Sequence, residues 1–302
     1  MIVSAPSARP SAPTPAAASH GFAEGAARAA AQMLIYCIET LKTHQQIYGR
    51  LPVMSPTQWA EHIGRGMFSS VVSSGLVFGA YYSAYHRIAA APSQILSALA
   101  GPVSTVATSV IKIPIGNSMR LLQAGIGRNI VDSGSRIVRL HGLRGLYGGY
   151  ALSVAEDAIE WDARERLYQA FKNHPALADL PPITVGVVLG ALTGMFASGI
   201  TTPFDTLRSQ IAYRSSGAAG CAVAGAGAGG AAQLGAIMRD LGGAARIAGA
   251  PAPFAIPAAL FRGARYRMLS CGVKSGLFYA ILEAIRPTAP RPPQPQPRPQ
   301  GI

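Results

Sequence analysis

Apolar residues gather in six long stretches, at about 21–46, 66–88, 93–123, 148–172, 181–212 and 261–286. They lack the period-2 alternation of half-buried strands, and few turn signals divide them, so each reads as helix. Each is long enough for a membrane span of about 20 residues, with surplus for tilt. Gly, Ala and Ser recur within them, the small residues that let membrane helices approach closely. The stretches are flanked by segments of another kind. Residues 1–20 hold Ser, Ala and Pro, one Arg and no acid, a composition common to organelle-targeting segments and to disordered tails. Residues 215–233 are Gly/Ala-rich, and the Pro-rich tail from Pro287 is expected to be extended and solvated.

A short pattern recurs late in the first, third and fifth stretches. It reads Cys37-Ile-Glu39-Thr-Leu-Lys42, Pro114-Ile-Gly116-Asn-Ser-Met119 and Pro203-Phe-Asp205-Thr-Leu-Arg208. The third copy is a full Pro-x-acid-x-x-base. The first has Cys for Pro, and the second keeps only the Pro. Gln46 and Gln123 both stand nine positions past the start of their copy. A second pattern marks the even stretches. Gly66, Gly149 and Gly263 each precede a dipeptide, Tyr85-His86, Tyr168-Gln169 and Leu282-Glu283, that lies 19 and 20 positions further on. Repetition at a long period fixes architecture before any local reading is made.

Two pattern types, each in three ordered copies over roughly residues 21–286, resemble the mitochondrial carrier family. The resemblance implies an all-α membrane protein: six transmembrane helices in three pseudo-symmetric two-helix repeats around a central cavity. The repeats would run 21–92, 93–178 and 179–286, with 215–233 an insertion in the third matrix link. Segments 1–20 and 287–302 would lie outside them.

Carriers of this family work by alternating access, and ion pairs close the cavity on one side and then the other. The acid of each first-type motif pairs with the base of the next repeat. Glu39 would then face Met119, Gly116 would face Arg208, and Asp205 with Lys42 would be the complementary pair left. On the opposite side His86 would meet Lys172, Gln169 would meet Arg286, and Glu283 would meet Ala89. The family's contact positions on the even helices select Ser73, Ser74, Val77 and Tyr81. They continue with Glu156, Asp157, Glu160 and Arg164, and then Ser270, Cys271, Lys274 and Phe278. Residues 156, 160 and 164 share one helix face. Charges within a span usually face a polar cavity or a partner. Asp162 through Arg166 have a second reading, a solvated helix end with i, i+4 pairs such as Asp162–Arg166. An acidic site with Arg164 and Lys274 nearby suits an amino acid or a sulfonium metabolite better than an inorganic anion. Lys112 and Arg267 also sit inside apolar stretches, where snorkelling or a helix-end carbonyl contact would explain them.

Charge and composition exclude other classes. Only 13% of the residues are charged, about half the fraction usual in a soluble domain. The net charge of +13 does not mark a nucleic-acid surface, because the basic residues form no basic, aromatic-interleaved face. They concentrate in the links from odd to even stretches, with Arg128, Arg136, Arg139 and Arg144 against Asp132 alone. That asymmetry is the topological signal of a multispanning protein, and in the resemblance the basic side is the matrix. Three cysteines (Cys37, Cys221 and Cys271) form no C-x-x-C and no metal-ligand spacing. No catalytic triad, Walker lysine loop or dinucleotide fingerprint is present, so no enzyme and no cofactor is expected.

The expected protein is a multi-pass monomer of the mitochondrial inner membrane, with the plastid envelope and the peroxisomal membrane as alternatives. Its partners would be a small-molecule substrate and membrane lipids, cardiolipin among them. The competing expectation is a carrier-fold scaffold or complex subunit that no longer transports.

Overall fold

The structure is a computed structural model that describes residues 16–51, 53–171, 174, 180–218 and 230–285. Among these residues all regular structure is helical. Six long helices form a ring: α1 (Ala16–Tyr48), α2 (Pro56–Ala89), α4 (Ala100–Gln123), α6 (Tyr150–Phe171), α7 (Pro182–Ser215) and α10 (Ala264–Ile285). Each packs on its neighbours in that order, and the ring closes where α10 meets α1. Short α3 (Gln94–Ala98) precedes α4. Three further helices, α5 (Ile130–Leu146), α8 (Gly230–Ile247) and α9 (Ala255–Leu260), lie in the second and third links between odd and even helices.

The helix ends follow local rules. α2 begins ten residues before its apolar stretch because Ser55 and Gln58 form a capping box and Pro56 takes the first helical position. α5 is started by Asn129, whose side chain accepts from the Asp132 amide at 2.8 Å. Gly149 and Gly263 adopt positive φ (78° and 80°) immediately before α6 and α10. The third glycine of that series departs from the repeat. Gly66 lies within α2 in helical conformation, and a Cβ there would meet the Tyr36 hydroxyl at 1.8 Å. Its lack of a side chain admits a tyrosine from α1 rather than a turn.

Pro114 sits inside α4, where it can donate nothing to the carbonyl of Val110. The Tyr147 hydroxyl donates to that carbonyl instead, at 3.1 Å. The link helices α5, α8 and α9 were not legible as apolar stretches, yet they seal one end of the ring. Ile137 of α5 packs with Ile47 and Leu121, while Ile237, Leu241, Ala255 and Ala259 pack with Ile211.

The six stretches, each long enough for a span, differ in apolarity once folded. Among the described residues one segment, Thr184–Ser215, is long and apolar enough to cross a membrane by length and composition. The other long helices carry charges that the ring turns inward, as on α6 with Glu156, Asp157, Glu160 and Arg164. Lys172 and Arg286 and the side chain of Glu283, expected at the second closure, lie outside the described residues, as do Cys221 and residues 1–15 and 287–302; residues 16–20 of the expected N-terminal tail belong to α1.

Close contact of α1 with α2 depends on small residues. A Cβ added at Gly25 would stand 2.8 Å from the Gly75 carbonyl oxygen and 3.2 Å from the Gly79 Cα. Backbone cannot rotate aside as a side chain can. Gly25→Val should therefore lower stability by about 1–3 kcal/mol, the usual cost of overpacking. A thermal-unfolding midpoint in detergent equal to that of the unsubstituted chain would show that this crossing is looser than described.

Candidate functional site: a charged central cavity

The ring encloses a cavity of about 540 Å³ lined by all six long helices, a volume suited to a metabolite. Every even-helix position selected from the sequence lies on its wall: Ser73, Ser74 and Tyr81 from α2, Glu156, Asp157, Glu160 and Arg164 from α6, and Ser270 and Lys274 from α10. The serines are partly occupied by their own helices, since Ser73 donates to the Ser70 carbonyl and Ser270 to that of Arg267.

At one end of the cavity the structure brings Lys42 and Asp205 together at 2.9 Å. The pair is not isolated. Asp205, 1% exposed, also meets Arg120 and Arg267, each at 2.7 Å. Gln46 donates to it at 2.9 Å and accepts from Ser209. A buried carboxylate keeps its charge only if counter-ions and donors replace its water. Here three helices besides its own supply them. Arg120 stands one residue past Met119, so the second motif keeps a base displaced by one position.

The remaining first-type motif residues do not pair as the repeat suggested. Glu39 is bonded to Lys274 of α10 and Gln32 of α1, with no contact to Met119 in its hydrogen bonding. Arg208 meets Glu156 at 2.5 Å, since Gly116 offers it no acid. His86 lies 3.3 Å from Glu24 of α1, a residue the motif comparison did not select.

The acids of α6 are also bound. Glu156 takes Arg208 and Arg267, Asp157 takes Lys112 at 2.6 Å, and Glu160 takes Arg164 at 2.6 Å and Arg267 at 3.1 Å. This corrects two readings. Lys112 does not snorkel; it pairs with Asp157 of the neighbouring helix α6. Arg267 does contact a helix carbonyl, that of Ser198 at 3.0 Å, but its greater role is to join Asp205, Glu156 and Glu160. The expected acidic site with Arg164 and Lys274 nearby holds more base than the sequence reading named. Among the described residues eight Lys and Arg side chains line the cavity against five Asp and Glu. Asp162 and Arg166, by contrast, form an exposed pair at 2.7 Å, as expected for a solvated helix face.

Sequence inspection missed Arg28, Arg120 and the aromatic wall of Phe78 and Tyr82. It noted Lys112 and Arg267 but assigned them no acid. An interior charge in a span calls for a named partner, and that rule, applied to each base, would have directed attention to α6 and α7.

Because Arg267 serves three carboxylates, it should be the least replaceable base. Arg267→Gln should cost about 3–5 kcal/mol, as when one partner of a buried ion pair is removed. Lys42→Gln should cost well under that, because Asp205 keeps two arginines. Equal losses of unfolding midpoint for the two variants would contradict this ranking.

Comparison with known proteins gives this geometry a lineage. No family model matches the chain. It is 25% identical over 287 residues to S-adenosylmethionine carrier 1, chloroplastic/mitochondrial, of Arabidopsis thaliana, covering 89% of this chain and 78% of that protein. It is 23% identical to the mitochondrial S-adenosylmethionine carrier protein of Xenopus laevis, over 65% of this chain and 76% of that one. A mitochondrial glycine transporter of Emericella nidulans is 29% identical over a shorter region, 28% of this chain and 27% of the transporter. Taken with the motif copies, the helix ring and the charged cavity, these similarities support a divergent member of the mitochondrial carrier family.

Proposed function

We propose that the chain moves a small metabolite through the ring by alternating access, and that the solute is an amino acid or another metabolite bearing an amine or sulfonium group. Solute transport itself follows from relatives that are carriers rather than enzymes. The same relatives are named for mitochondria or chloroplasts, and the chain accordingly belongs to the mitochondrial inner membrane, with the plastid envelope as the alternative. Six spans in three repeats, with Lys42–Asp205 as the matrix-side closure, are the arrangement in which these parts would work. The pseudo-threefold relation would put the site at mid-depth, where the repeats meet.

The observation that carries the substrate reading is the α6 face. Asp157 and Glu160 line the cavity, and the bases that hold them reach in from α4 and α10 and from one turn along α6. A cationic group can take the place of such a base by offering a carboxylate the same charge. A solute that was only cationic would meet eight bases and five acids, a wall with surplus positive charge. A solute carrying both a cationic group and an acid group suits that wall better, and names such as S-adenosylmethionine carrier and glycine transporter describe solutes of this kind.

Two measurements test the reading. Alkaline carbonate washing should leave the intact chain in the membrane pellet; release into the supernatant would remove the membrane architecture. Purified protein in liposomes should take up S-adenosylmethionine or glycine, and Asp157→Asn should lower kcat/KM for it about tenfold, or about 1.4 kcal/mol. The same substitution leaves Lys112 without its acid and should not impair uptake of a dicarboxylate. Robust nucleotide or dicarboxylate exchange indifferent to Asp157→Asn would overturn the substrate class. A chain that transports nothing would favour the carrier-fold scaffold.

A further inference from the structure

Seven of the eight cavity bases have a carboxylate within ion-pair distance. Arg28 of α1 is the exception among the described residues. Its guanidinium lies over the Phe78 ring, 4.5 Å from the centroid, and no hydrogen bond or ion pair is formed by it. Its Nε is buried without an acceptor. Arg28 lies about 16 Å before Glu39 along α1, at 1.5 Å per residue, and so well away from the Asp205 cluster. Phe78, stacked beneath it, touches Phe278 edge-on with centroids 5.6 Å apart, and Tyr82 lies 5.4 Å away. The result is a half-buried cation with an aromatic floor, open to the cavity and lacking a counter-ion.

We propose that Arg28 anchors a carboxylate of the transported solute, with the carbon skeleton next to that carboxylate packed on Phe78, Tyr82 and Phe278. This deepens the transport reading above and rests on it. The ring contact occupies none of the guanidinium's N–H donors, and none of them has a protein acceptor among the described residues. Those donors match the two oxygens of a carboxylate in a bidentate pair. An unpaired charge in a wall of low dielectric is costly; at Arg28 the counter-ion arrives with the cargo. Its place on α1, with Asp157 and Glu160 on α6, also fits a solute whose acid and cationic groups are at different points. Phosphate groups share the affinity for arginine, but a planar two-oxygen ligand fits the fork above a flat ring better than a tetrahedral one.

The test uses the full chain in liposomes and one matched pair of probes, S-adenosylmethionine and its decarboxylated counterpart, which differ only in the carboxyl group. Wild type should prefer the carboxylated probe at least tenfold in half-saturating concentration. Arg28→Gln should abolish that preference by raising KM for the carboxylated probe, while maximal rate and the decarboxylated probe change little. Arg28→Lys, which keeps the charge but not the fork, should restore part of it. An unchanged unfolding midpoint for either variant separates this from loss of fold. A preference that survives Arg28→Gln, or an equal loss for both probes, overturns the assignment while leaving transport intact. Competition by inorganic phosphate that vanishes in Arg28→Gln would overturn the carboxylate in favour of a phosphate group. Failure of wild type to take up either probe would instead strike the substrate reading itself, and the anchor with it.

Discussion

The carboxylate of Asp205 is the constraint on which the rest of the ring depends. It lies on α7 with almost no contact with water, and an anion so placed must be neutralised from nearby or give up its charge. Lys42, Arg120 and Arg267 answer that demand from α1, α4 and α10. One residue therefore fixes four helices at one end of the cavity. Gln46, bonded both to Asp205 and to Ser209, completes the coordination. The pairing is reversible in principle because each partner is a separate side chain on a separate helix. Removing a single base leaves the acid with others, which is the physical difference between this cluster and a chain of isolated pairs.

Concentrating the bases on one acid has a consequence for symmetry. With Gly116 in the second motif, Arg208 has no acid at the position the repeat provides, and it turns to Glu156 of α6. With Met119 in place of a base, Glu39 turns to Lys274 of α10. Both substitutes lie on even helices at the family's substrate positions. The Asp205 cluster at one end of the cavity and the acids of α6 are thus joined by shared partners, Arg267 above all. A group entering beside Glu160 competes with the same arginine that holds Asp205. In the alternating access proposed above, that linkage would be a physical route from occupancy to opening, because a ligand shifts a conformational balance only through contacts that differ between the two states.

The outline of this arrangement was legible in the sequence and its wiring was not. Apolar stretches located the six long helices to within a turn or so except at three starts: α1 begins five residues early, α4 begins seven late because α3 intervenes, and α2 begins ten early because capping chemistry at Ser55 and Gln58 extends it through polar residues. The motif copies directed attention to Lys42 and Asp205, and positional counting to cavity-lining residues on α2, α6 and α10. What counting could not supply was reach. Arg120 stands one place from the motif position, yet a long side chain makes the offset harmless. Lys112 and Arg267 looked like isolated charges because their acids are 45 and 111 residues away in sequence, Asp157 and Glu156. The link helices α5, α8 and α9 were invisible to a search for long apolar runs, since each buries only one narrow face. Gly66 matched the spacing of Gly149 and Gly263 but has another physical reason, the Tyr36 hydroxyl.

The low apolarity of five of the six long helices follows from the same logic. A helix that faces lipid on one side and a solvated, charged cavity on the other cannot be uniformly apolar, and every inward Lys, Arg, Asp or Glu lowers its mean hydropathy. α7 keeps the most apolar surface because its charged residues cluster at its C-terminal end, where Asp205 and Arg208 enter the network. α6 is at the other extreme, with acids along most of one face and bases from three helices brought to meet them. Such a helix would be expelled from a membrane if it stood alone. Within the ring its charges are neutralised by neighbours, so a place for it in a bilayer would be a property of the assembled fold rather than of the segment.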